Sequence, residues 1–124
     1  MKKLIALALL GAAASAQAAD WKTVSRDSDS MIEVEQTMLK HQGSHVLAWT
    51  RQSFAKPRTV GAATYDVMLG RYDLDCANDT ARLLSSTAAL NGKVVDSTGY
   101  APSDIAVIYP DSDLYEVDKA VCPR

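Results

Sequence analysis

Few residues in this chain have both the type and the spacing to do chemistry. His41 and His45 stand four apart, a spacing that binds zinc when a helix carries it. Here they flank Gln42-Gly43-Ser44, so they are expected to face each other across a hairpin, without a third Cys or His to complete a metal site. Asp73, Asp75, Asn78 and Asp79 crowd around Cys76. Calcium would need about six to eight oxygens, and the glycine and closing glutamate of an EF-hand loop are missing. A strand end followed by an Asx turn accounts for the four residues. No metal site and no cofactor are expected.

Nucleophilic and phosphate chemistry find no support either. Gly-x-Ser-x-Gly, the P-loop and the dinucleotide fingerprint are absent, and two histidines near one turn offer little to a Ser-His-Asp arrangement. Paired acids are invisible in sequence, so carboxylate hydrolysis is the one enzymatic class that the pattern leaves open. The expectation is a non-enzymatic protein. Trp21, Trp49, Tyr100, Tyr109 and Tyr115 could line a binding surface. Trp49, inside an apolar run, reads as core; Tyr100, in a Ser-Thr-Gly-Tyr-Ala-Pro loop, reads as the exposed aromatic.

The elements that must position these residues begin after a leader. Met1-Lys2-Lys3, an apolar run from Leu4 to Ala14, and Ser15-Ala16-Gln17-Ala18 form the three regions of a secretory signal peptide. The run is about half the length that spans a bilayer as a helix. Cleavage is expected after Ala18, leaving residues 19–124 as one domain in the periplasm or secreted. No cysteine stands directly after the apolar run, so no lipobox and no stable membrane anchor are expected. The 124-residue chain has 13 Lys+Arg against 15 Asp+Glu, a formal charge of −2, and losing Lys2 and Lys3 makes it more acidic. Nucleic acid is therefore not an expected partner. Cys76 and Cys122, an even pair in an oxidising compartment, are expected to form a disulfide.

Short apolar runs separated by turns recur about every ten residues, the pattern of antiparallel strands. Trp21–Val24 reads as a strand. The next alternates, with Ile32, Val34 and Met38 on a buried face and Glu33, Glu35 and Thr37 on a wet one. The turn at His41–Ser44 leads to a strand at Val46–Thr50, which Pro57 ends. Tyr65–Cys76 follows, its apolar face switching near Gly70, where a bulge is expected. Arg82–Leu90 reads as strand, with helix over Thr80–Leu90 the alternative, because Ala and Leu are good helix formers. Asn91-Gly92 is a strong two-residue hairpin turn. Asp111-Ser112-Asp113 opens a C-terminal helix with the apolar stripe Leu114, Val117, Val121.

The order of Trp21, Ile32-Glu33-Val34, Val46 to Arg51, Leu74-Asp75-Cys76, Arg82 to Ser85, Asn91 to Ser97, Tyr109 to Ser112 and Val121-Cys122 resembles the surface-adhesin protein E family of Gram-negative bacteria. The resemblance covers nearly all of residues 20–122. It implies an α+β fold: an antiparallel sheet of about six strands with a C-terminal helix packed on one face, tethered by Cys76–Cys122. It also implies a protein partner, a host extracellular-matrix or serum protein for the name-giving member, which is a lipoprotein. The alternative is a soluble periplasmic interaction or envelope-maintenance protein with an envelope partner. No binding motif is carried over residue by residue.

Overall fold

A computed structural model describes residues 18–99 and 104–123. The leader before Ala18 and Tyr100 lie outside the described residues. Among the described residues, eight strands form one antiparallel sheet: β1 (Trp21–Arg26), β2 (Ser30–Glu35), β3 (Lys40–Gln42), β4 (His45–Val60), β5 (Ala63–Asp75), β6 (Thr80–Leu90), β7 (Lys93–Gly99) and β8 (Ile105–Val107). One helix follows, α1 (Asp113–Val121). The expected six strands become eight because two positions in the sheet are each filled by two pieces. β2 pairs with β4 at Thr50–Phe54, and β3 takes the same side of β4 at His45–Leu47. β7 and β8 share β6 in the same way. Three-residue strands are too short to show a period.

Alternation along the strands sorts residues to two faces. On the face under the helix, Ile32, Val34, Val46, Ala48, Leu74 and Ala81 pack with Val117, Val121 and Cys122 in one buried cluster. Ser112 caps the helix, its Oγ accepting from Tyr115 N–H at 3.1 Å and donating to the Tyr109 carbonyl at 2.7 Å. The Cys76–Cys122 disulfide ties the end of α1 to the end of β5 across 46 positions of sequence. A loop of that length is worth about 4 kcal/mol in the chain-entropy account. Asp118, fully buried, sets Oδ1 3.0 Å from Cys122 Sγ. Both sulfurs are bonded to each other, so neither is a thiolate able to hold a metal.

Three local expectations are corrected. Pro57 does not end the strand: β4 runs on to Val60, but its ladder with β5 lapses between Ser53 and Arg58, where a missing N–H costs nothing. The ladder between β4 and β5 passes through Gly70 without a break; the bulge lies on β6, where Arg71 and Tyr72 face Ser85 and Leu83, leaving Leu84 extra. Gly70 serves packing instead. A Cβ there would stand 2.8 Å from Tyr72 Cε2 and 3.1 Å from Thr50 Oγ1. Finally, the supposed wet face of β2 is buried, and Met38 is exposed because β2 stops at Glu35. Glu35 Oε1 accepts from Asp20 N–H, Thr37 N–H and Thr37 O–H, and these bonds, Asp20's first, pull its carboxyl below the usual range.

Thr80–Leu90 is strand throughout. Asn91 and Gly92, both at positive φ (51° and 82°), close the β6–β7 hairpin as expected.

Candidate binding face

The face of the sheet opposite α1 carries no helix or second sheet among the described residues. Period-2 alternation puts there Trp21 on β1, Glu33 on β2, Leu47, Trp49 and Arg51 on β4, and Leu69 and Arg71 on β5. Glu33 faces Arg51 directly, and Arg51 Nε donates to Glu33 Oε1 at 2.9 Å. The Arg51 guanidinium lies 4.3 Å from the centroid of Trp21. Trp49 and Arg71 are direct cross-strand partners, with the guanidinium 5.7 Å from the ring. Stacks of this kind are worth about 0.5–1 kcal/mol when exposed. They also hold both tryptophans and both arginines in fixed positions, which lowers the entropy lost when a partner docks.

Trp49 is therefore not core. The run Val46-Leu47-Ala48-Trp49 is apolar throughout, but the strand splits it: Val46 and Ala48 are buried under α1, while Leu47 and Trp49 are half-buried on the other face. Tyr115 packs half-buried against the core, with Lys119 Nζ 4.8 Å from its ring. Tyr109 is exposed, just before the helix cap. The aromatics do not converge. Trp21 and Trp49 share the open face, and the two tyrosines belong to the helix side. Arg51 and Arg71 were missed as site residues. The signal for Arg51 was present as Trp49-x-Arg51, two residues on one face of a strand; Arg71 needed the register.

The histidines part company. His41 pairs with Val46 and is exposed, while His45 pairs with Asp75 across β5. His45 Nδ1 donates to Asp73 Oδ1 at 2.7 Å, and Nε2 stands 3.7 Å from Asp75 Oδ2. The Asp73 hydrogen bond raises the His45 pKa above its ordinary value, with the charges of Asp73 and Asp75 adding to it against partial desolvation. Asp75 turns its carboxylate to Asn78 Nδ2 and to the N–H groups of Ala77 and Asn78, which lowers its pKa. The acidic quartet thus divides between a histidine clamp and a turn.

Fold and face together define a disulfide-tied sheet with a helix laid on one side and, among the described residues, none on the other. The chain belongs to the surface-adhesin protein E family, whose model matches residues 21–123. That membership suggests an adhesin-like function and an exported or surface location. Comparison with curated proteins and with solved structures returns no match. No helix among the described residues is long and apolar enough to cross a membrane.

Proposed function

We propose that this protein is a non-enzymatic exported binding protein, with residues 1–18 its leader and 19–124 one domain, whose open sheet face engages a host extracellular-matrix or serum protein. The observation that supports the reading is the array Trp21, Trp49, Arg51 and Arg71 on an uncovered face. Trp and Arg are the residues most often found to dominate protein interfaces, and family membership supplies the adhesin-like role. The test is saturable binding of residues 19–124 to immobilised laminin or vitronectin, repeated with Trp49→Ala and Trp21→Ala. Saturation that weakens at least about tenfold in either variant supports the face; unsaturable binding, or variants that bind equally well, would overturn it.

A second reading, a soluble periplasmic interaction or envelope-maintenance protein, has its own support. The chain's two cysteines are joined to each other, leaving neither to carry an acyl chain. Protease shaving of intact cells, beside an osmotic-shock extract, separates the two readings. Loss to protease favours adhesion, and recovery in the shock fluid favours an envelope partner.

A further inference from the structure

The helix covers only part of its side of the sheet. α1 has nine residues, about 13 Å, against about 43 Å for the thirteen of β5. Past its first turn the sheet surface continues as a groove of about 260 Å³, walled by Met68, Tyr72, Leu83 and Leu114 and floored at Gly70. A second hollow of about 570 Å³ adjoins it, sharing Tyr72, Leu83 and Leu114 and extending to Ile105 and Ala106 on β8. Together they make a trough on the helix side that reaches the sheet edge at Ile105.

The charge along this trough has one sign. Asp113 stands in the wall of the first hollow and Asp104 in that of the second, and both are exposed. Among the described residues, neither wall contains a Lys, Arg or His. The remaining polar groups, Thr50, Gln52 and Ser86, are neutral and gather at the far end. The open face differs: there Arg51 and Arg71 lie half-buried over aromatic rings. An apolar trough edged only by carboxylates complements a segment whose aliphatic side chains fill it and whose cations reach the rim. Lys and Arg do both, burying their stems and keeping their charge at a wet edge.

We propose that the trough is a second docking site, which takes an extended segment of a partner protein with apolar residues flanked by Lys or Arg. Met68, Leu83 and Leu114 receive the apolar groups; Asp104 and Asp113 hold the cations. This goes beyond the open-face reading, and the two faces engage different parts of a partner.

The experiment uses the disulfide-bonded chain and fluorescence anisotropy with three labelled ten-residue peptides: alternating Leu and Lys, alternating Leu and Glu, and alternating Gly and Lys. The Leu/Lys peptide is expected to bind, the other two to bind at least about tenfold more weakly. The double variant Asp104→Asn/Asp113→Asn, both exposed positions, should keep the melting temperature and lose about tenfold in affinity for Leu/Lys. Trp49→Ala should leave that affinity unchanged, so the open face can fail its own test independently. Equal binding of Leu/Lys and Leu/Glu would assign the trough to an apolar ligand, and equal binding of Gly/Lys would reduce it to bulk charge. Either result overturns the proposal, as does an unaffected double variant. A self-associating chain whose dimer the double variant disrupts would put a second copy in the trough and overturn it equally.

Discussion

The two ends of the sheet share β4, β5 and β6 and differ in nearly everything else. At the end under α1, β4 buries Val46, Ala48 and Thr50, and Leu74 on β5 is fully enclosed. At the other end, β4 from Ala55 to Val60 and all of β7 are exposed, with Val60 and Val94 about two-thirds open. The gradient runs along single strands, so it cannot come from strand propensity. It comes from where the helix is stapled. Side-chain alternation becomes burial only where something lies over it. Elsewhere the ladder is held by backbone hydrogen bonds, turns and contacts such as Thr59–Thr64 at 2.9 Å. Such regions open at lower free energy than the core.

The largest effect should follow from removing the staple. Replacing both cysteines, Cys76→Ser/Cys122→Ser, should cost about 2–5 kcal/mol in denaturant unfolding. Amide exchange should speed up most in α1 and least in β7. A melting temperature equal to that of the oxidised chain would falsify the view that the staple makes the two ends differ. A smaller effect is expected at the helix cap: Ser112→Ala removes the bond to Tyr115 N–H and should cost about 1 kcal/mol. If the cap matters only locally, exchange rates at the β6–β7 hairpin will not change.

These features were also the most legible in the sequence. Ser112 with its acidic neighbours, the stripe Leu114–Val117–Val121 and the Asn91-Gly92 turn each depend on short-range rules that do not need the register, and the cysteine pair, 46 positions apart, needs only its count of two. The candidate face was legible only in part. Trp21 and Trp49 stood out by type, but Trp49 sat in an apolar run that reads as core until the strand period divides it. Glu33 and Glu35 looked wet because acids on alternate positions ordinarily are. Their burial depends on Arg51 and Trp21, and on Asp20 and Thr37, groups that only folding or a turn brings near. β3, β8 and the bulge at Leu84 have no sequence period at all. They are set by which strand they lie beside.

A pH dependence sharpens the comparison at the stapled end. His45 is held above its ordinary pKa, chiefly by the Asp73 bond, so its contribution is fully present below about pH 6.5. The contribution is lost as pH rises through the raised value. The difference in melting temperature between the native chain and His45→Gln should therefore shrink from pH 6 toward alkaline pH. Asp75 acts in the opposite direction: its pKa is lowered, and its contribution disappears as pH falls through that lowered value. A His45→Gln difference that is constant from pH 6 to 9 would mean that the bond to Asp73 does not depend on a protonated imidazole.

The most direct test of the contrast makes one chemical change at both ends, and its effect at the exposed end should be the smallest of all. Val→Thr keeps the shape and β-branching and adds a hydroxyl. At Val46, 1% exposed in the core cluster, the hydroxyl is taken out of water, and the cost should be about 1–3 kcal/mol. At Val94, 65% exposed on β7 opposite Ala89, the hydroxyl stays in water and strand propensity barely changes. Unfolding free energy there should move by less than about 0.5 kcal/mol. A loss at Val94 approaching that at Val46 would mean that β7 is covered in solution, and the bare end would then itself be an interface.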